Sequence, residues 1–318
     1  MLLKDQNNFR KNQIKEIINL KIINIYKKEK RMAEKKLNSK FVIFFIILFL
    51  FIQVLGLITA NYYSSQEDIR LTIITDNPDD IINAIAIIVE IVLLTGLMLF
   101  LKRFFKKTRY LSIFEFLALF FGMIVVLDVF LDYFAAILVS AILLLIRNYL
   151  GRHSSFKKIL LWYNNFLLSL AIAGAGSLIG LSLGLLPVIV FLVLLSIYDI
   201  IAVFYTKHMV TLAKMFIKQK LALTFALPLK KKVYQLGGGD IVVPLTVSAS
   251  FFFVLIRTYP FKVAIIPIIL IWVASIVGLL GTFWYLSINK RKIKVLPALP
   301  PQAILILISI IISYLFIL

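Results

Sequence analysis

Long apolar runs separated by clumps of charge dominate this chain. Runs of spanning length fall at about 41–60, 81–101, 110–130, 133–147, 159–182, 187–206, 239–256, 263–288 and 298–318. A helix needs roughly 20 apolar residues to cross about 30 Å of hydrocarbon, and each run approaches that length. The fourth is short and meets the third at Asp128 and Asp132, which makes that division the least sharply marked. The pattern predicts an all-α, polytopic membrane protein with nine transmembrane helices, whose core is the bundle itself.

The connecting segments orient the bundle. Residues 1–40 hold twelve Lys or Arg and KRFFKKTR (102–109) holds five, while 147–158, 207–235 and 289–296 hold four, seven and four. With nine spans these 32 of the 35 basic residues share one side, and only Arg70, Arg257 and Lys262 fall on the other. Cytoplasmic loops carry the excess of Lys and Arg, so the N-terminus is expected in the cytoplasm and the C-terminus outside. Eight or ten spans would break the alternation. The chain then divides into a basic cytoplasmic segment (1–40), a bundle of five helices (41–182), and helices six to nine (187–318) with a cytoplasmic loop at 207–235. An amphipathic interfacial helix around 13–26 and a solvated topogenic tail are both compatible with the first segment, and Met32 is an alternative start.

Composition narrows the chemistry. The chain is 62% hydrophobic and 16% charged, whereas a soluble domain is about half apolar and a quarter charged. The net charge of +20 is accounted for by topology, with attraction to anionic lipid secondary, so no nucleic-acid partner is implied. No cysteine and two histidines, His153 and His208, leave no thiol chemistry and little basis for a metal site. No cofactor is expected.

Ionisable residues inside spans are costly and mark functional positions by default. Glu90, Glu115, Asp199 and Asp240 are the four, since Asp128 and Asp132 flank a turn that water reaches. Asp199 lies eight residues before Lys207 on span six, and Asp240 lies eight residues after Lys232 on span seven. At 1.5 Å per helical residue each stands up to about 12 Å from its basic marker, at matched depth on consecutive antiparallel spans. Two carboxyls that share a site cannot both ionise cheaply. One then takes a proton from water while the other, protonated, stabilises the developing oxyanion, which is acid–base hydrolysis without a metal. Carboxylate position alone also fits pairing with basic groups, or proton relay in a transporter.

The flanking residues add information. Asp199 sits in LLSIYDIIAVFYTKHM (194–209), Asp240 follows Gly237-Gly238-Gly239, and span nine opens with VLPALPPQ (295–302). In this order, on spans six, seven and nine of nine, the three elements resemble the presenilin and signal peptide peptidase family of intramembrane aspartyl proteases. YDIIAVFYTKHM is particularly similar to the archaeal presenilin homologues. The resemblance covers about residues 187–305 by motif and the whole chain by span count. It implies that Asp199 and Asp240 are the catalytic pair and that Tyr198 stands beside the first. It also implies that Gly237, Gly238 and Gly239 shape the approach to the second. Pro297, Ala298 and Leu299 would line the site and receive the substrate backbone. Gly238 departs from the family, which commonly carries Leu there. The expected substrates are transmembrane proteins or peptides, cut within or near their spans in the bilayer of the cell membrane, with no accessory subunit required. The inside N-terminus matches presenilins, whereas signal peptide peptidases are inverted, and it implies substrates with an outside N-terminus. No segment resembles a self-cleavage region.

Elementary physics supports these roles separately. Glycines adopt conformations closed to other residues and let another backbone come close. A substrate helix must unwind before hydrolysis, and its freed amides need partners that an extended enzyme segment can supply by strand addition. PALPP also suits an ordinary helix start. Glu115, near the basic cluster ending at Arg109, is expected in a structural ion pair, and Glu90 in a buried hydrogen bond or a wet cavity. AIAGAGSLIG (171–180) offers small residues for close helix packing. It lacks a G-x-S-x-G order, and HExxH is absent, which disfavours serine and zinc intramembrane proteases. The competing classes are a proton-coupled transporter with Asp199, Asp240 and Glu90 as relays, and a silent scaffold. Transporters often carry broken helices in both halves, whereas the unusual segments here all lie in the C-terminal half.

Overall fold

The structure, a computed structural model, describes residues 39–66, 74–104, 109–206, 208, 211, 212, 215, 221–229, 232–288 and 297–316. The helix expected around 13–26 and Met32 lie outside the described residues, as does much of the loop at 207–220.

Among the described residues nine helices are long and apolar enough to cross a membrane. They are α1 (Ser39–Ser64), α2 (Ile81–Phe104), α3 (Arg109–Asp128), α4 (Tyr133–Arg152), α5 (Lys157–Leu181), α6 (Leu185–Ile200), α7 (Gly239–Thr258), α8 (Phe261–Ile288) and α9 (Leu299–Phe316). The division between α3 and α4 falls where the two aspartates predicted it. Asp132 caps α4 by accepting from the Ala135 N–H at 3.2 Å, and Asp128 accepts from the Tyr63 hydroxyl at 2.7 Å. Among the described residues the one departure from helix that carries regular structure is a hairpin between spans six and seven. Its strands, β1 (Thr224–Leu229) and β2 (Lys232–Gly237), pair antiparallel with Thr224 opposite Gly237.

α5 and α7 are the most buried spans and form the axis of the bundle. Lipid is as apolar as leucine, so helices in a membrane associate through close packing of small residues. The 171–180 stretch does this on two sides. A Cβ on Gly122 of α3 would stand 2.5 Å from the Ala171 carbonyl oxygen, and one on Gly180 would stand 2.6 Å from that of Thr246 on α7. Ser177 donates to the Gly56 carbonyl of α1 at 2.6 Å. Phe49, Ile52, Leu119, Met123, Leu167, Ala173 and Leu245 fill the resulting core.

Two carboxylates differ from expectation. Glu115, 1% exposed, is paired with Arg147 of α4 rather than with the cluster at Arg109. Arg147 also donates from Nε to Asn164 Oδ1 of α5 at 3.0 Å, and Glu115 accepts from the main-chain N–H of Ala222. Pairing removes the cost of Arg147 at that depth, which lets α4 continue past the expected end at 147 to Arg152. Glu90 is exposed on α2 rather than buried. The buried positions of α2 (Asn83, Ala84, Ala86 and Ile87) all lie in its first two turns, and while Ile88 and Ile91 still pack on the core, Glu90 is on the exposed side of the helix.

Candidate active site

Asp199 is the last residue but one of α6. It is 8% exposed, and after Ile200 the five residues Ile201–Tyr205 form a π-helical turn closed by the Thr206 N–H on the Ile201 carbonyl at 3.0 Å. Such widened turns occur mostly as single inserts in α-helices and frequently at functional sites. Asp240 occupies the first turn of α7, half-buried, directly after the hairpin. Asp199 and Asp240 are both in contact with the start of α9.

The start of α9 meets both. The Leu299 N–H donates to Asp199 Oδ2 at 3.3 Å, and the Ala298 N–H is directed at the same carboxylate. α9 opens Leu-Pro-Pro-Gln, so Pro300 and Pro301 contribute no N–H. The amides of Ala298 and Leu299 are thus the donors this helix start has to offer, and the positive end of a helix favours a carboxylate. PALPP is therefore a helix start that holds Asp199. One turn on, Gln302 Nε2 donates to the Asp240 carbonyl at 3.1 Å. Pro297 and Leu299 are buried and Ala298 is half-buried, packed on the core between α5 and α7.

The glycines supply space rather than unusual conformation. Gly238 has φ −62° and ψ −32°, and none of the three is in the left-handed region. The expectation that they adopt backbone closed to other residues is corrected, because the chain is already entering α7. The Gly237 N–H is directed at the Asp240 carboxylate. A Cβ on Gly239 would meet open space, whereas one on Gly238 would stand 3.0 Å from Ile172 Cδ1. Ile172 of α5 fills the room that a Leu at 238 would take.

Tyr198 turns away to a different partner. Its hydroxyl bonds His208 Nε2 at 3.0 Å, and His208 Nδ1 meets the Thr206 hydroxyl. Burial holds the His208 imidazole below the usual histidine range, which favours the neutral ring. A cavity of about 550 Å³ lies elsewhere, between α3, α4 and α5 beside Glu115 and Arg147, and contains neither aspartate.

The hairpin is the feature that sequence reading left as loop. Asn165 of α5 holds β1 from outside: its Nδ2 donates to the Ala226 carbonyl at 2.8 Å and its Oδ1 accepts from the Ala226 N–H at 2.9 Å. In an antiparallel pair alternate residues turn their N–H and C=O to the partner strand. Ala226 therefore faces away from β2, and Phe225 and Leu227 face it, opposite Leu236 and Tyr234. The outward edge of β1 is closed by Asn165 at Ala226, and at Pro228 there is no N–H to offer. The outward edge of β2 is presented by the main chain of Val233 and Gln235 and ends at Gly237, three residues from Asp240.

The model for the family described as signal-peptide peptidase, presenilin aspartyl protease matches residues 46–235, a stretch that contains Asp199 and stops before Asp240. Two similar solved structures are both described as a presenilin family intramembrane aspartate protease. The one in a C222 crystal is 23% identical, covers 86% of this chain and 98% of its own, and superposes with a TM-score of 0.59. The one in a P2 crystal is 22% identical, covers 85% and 96%, and reaches 0.55. No curated protein matches.

Replacing Asn165 with Leu removes both bonds to Ala226 and leaves a buried N–H and C=O orphaned, at about 1–3 kcal/mol for each. Main-chain hydrogen exchange across residues 224–237 is expected to quicken by at least about tenfold. Unchanged exchange would mean that other contacts hold the hairpin.

Proposed function

The chain belongs to the signal-peptide peptidase and presenilin family of aspartyl proteases, and on that premise we propose that Asp199 and Asp240 are its reacting carboxyls. The protein is an intramembrane aspartic endopeptidase, multi-pass in the bilayer, whose substrates are transmembrane proteins. The single observation that carries the assignment of the pair is the start of α9, which binds Asp199 through an amide and Asp240 through its carbonyl.

The chemistry follows from two carboxyls on one water. The ionised member takes a proton from the water as its oxygen attacks the scissile carbonyl carbon. The protonated member hydrogen-bonds the carbonyl oxygen as negative charge develops there. The tetrahedral diol then collapses, the C–N bond breaks, and the amine leaves with a proton from the pair. Water adds across the peptide bond, and both carboxyls return to their starting states. No metal enters this sequence.

Presentation of the substrate rests on the hairpin. A substrate span must be unwound to expose its carbonyl, and its amides then need partners where water is scarce. The outward edge of β2 offers alternate main-chain groups at Val233 and Gln235, with the N–H of Gly237 turned to the Asp240 carboxylate. A strand added there runs past Gly237 to Asp240, with the open side of Gly239 leaving room for it. This supports Gly237, Gly238 and Gly239 as shaping the approach, with Pro297, Ala298 and Leu299 as the wall on the Asp199 side. Tyr198 supports the site indirectly by tying the end of α6 to His208.

The distribution of 32 basic residues supports a cell-membrane protein with its N-terminus in the cytoplasm and C-terminus outside. Both carboxyls and the groups that hold them belong to one chain, which supports activity without accessory subunits.

Purified protein in proteoliposomes is expected to cleave a single-span reporter. Asp199→Ala and Asp240→Ala should each lower the rate by at least about 10²–10⁴-fold. Normal cleavage by either variant would falsify the pair. The chain has no cysteine, so single cysteines placed near Arg109 and Arg257 report topology directly. Membrane-impermeant reagent applied to whole cells should label the second position and spare the first, and the reverse pattern would invert the orientation.

A further inference from the structure

Pro244 stands inside α7, four residues after Asp240. In an α-helix the carbonyl of each residue accepts from the N–H four positions on, and proline has none to give. The Asp240 carbonyl thus lacks its helical donor at membrane depth, where an unmet polar group is costly. Its donor comes from another span. Gln302 of α9, fully buried, gives Nε2 to the Asp240 carbonyl at 3.1 Å and to the Ser275 carbonyl of α8 at 3.3 Å.

The neighbouring helix is shaped for this side chain. A Cβ on Gly278 of α8 would fall 2.7 Å from Gln302 Cα and 3.1 Å from its Cγ, so only glycine lets α9 approach at that level. The next carbonyl of α7 is held in the same way from the other side. Gln53 of α1, also fully buried, donates from Nε2 to the Ile241 carbonyl at 3.1 Å. Two buried glutamines from two spans therefore grip consecutive carbonyls at the start of the one helix that carries both Asp240 and an internal proline.

We propose that Gln302 is a positioning residue that replaces the hydrogen bond removed by Pro244, and thereby sets the place of Asp240 relative to Asp199. The geometry gives this a specific form. Leu299, whose amide holds Asp199, and Gln302, whose amide group holds Asp240, are three residues apart on α9. One turn of a single helix is the ruler for both carboxyls. Pro244 makes the arrangement necessary: with a donor at position 244 the carbonyl would be met within α7, and the tie to α9 would be optional. This inference rests on the reading of Asp199 and Asp240 as the reacting pair.

The test uses the full chain in proteoliposomes with the single-span reporter, comparing Gln302→Ala, the double variant Pro244→Ala/Gln302→Ala, and Asp240→Asn. Gln302→Ala is expected to lower kcat by about tenfold with KM near that of the parent, the scale set by one buried carbonyl left unmet. Adding Pro244→Ala restores an N–H at 244 and is expected to recover most of that loss. A loss of packing around Gln302 would not be repaired by a second change on a different helix, and a loss of stability alone would lower the amount of folded protein and leave kcat per folded molecule unchanged. Full activity in Gln302→Ala, or no recovery in the double variant while Asp240→Asn is inactive, would overturn the inference and leave the pair standing. Normal cleavage by Asp240→Asn would instead remove the reading on which it rests. If Gln302→Ala does not fold, Gln302→Met keeps the volume without the donor, and the comparison with Pro244→Ala/Gln302→Met decides the question in the same terms.

Discussion

Inside a bilayer, a main-chain amide or carbonyl that leaves its helix has no water to turn to. A protease that works there must nonetheless carry irregular backbone beside its reacting groups, because a continuous helix cannot receive an extended substrate. The structure meets this constraint with side chains from neighbouring spans. Asn165 holds Ala226, Glu115 holds the Ala222 N–H, Gln53 and Gln302 hold the carbonyls of Ile241 and Asp240, and Asp199 accepts from Leu299. Each of these bonds joins groups more than 60 residues apart, so each break in local structure is also a tie between distant elements.

That economy links stability to geometry. The same bonds that make the hairpin and the α9 start tolerable also decide where they point. Asn165 closes one edge of β1, and the open edge of β2 then leads to Asp240. The paired prolines of α9 leave its last free amides for Asp199. Glu115 is buried against a half-buried Arg147, and a charge of that kind is tolerated only when paired and hydrogen-bonded. Small residues on α5 let α3 and α7 come near enough for these reaches to be short.

Much of this was legible in the sequence, for identifiable reasons. Nine spans follow from run length, whereas counting from Lys232 to Asp240 at helical rise did not foresee that Lys232–Gly237 is a strand. The 171–180 stretch announced close packing, and it packs on both sides. The hairpin is hidden in the sequence because Lys230 and Lys231 fall between its strands and Lys232 opens β2, a run that reads as topogenic charge. β1 is also held at Ala226 by Asn165, 61 residues earlier, a partner no local pattern reveals. Arg147 was hidden from Glu115 by 32 residues of sequence. Glu90 lies on the exposed side of α2, and mid-span position alone says nothing about which side of a helix meets the bundle. One signal was available and unused: Pro244 falls four residues after Asp240, and that spacing by itself demands an external donor.

The central claim is that Asp199 and Asp240 act on one water beside a substrate strand on β2. A structure of the protein bound to a peptide isostere, with a hydroxyl in place of the scissile carbonyl, tests it most directly. The account predicts that hydroxyl within hydrogen-bond distance of both carboxylates, and isostere main chain paired to Val233 or Gln235. A hydroxyl bound away from either aspartate, or an isostere lying against β1 instead, would contradict it.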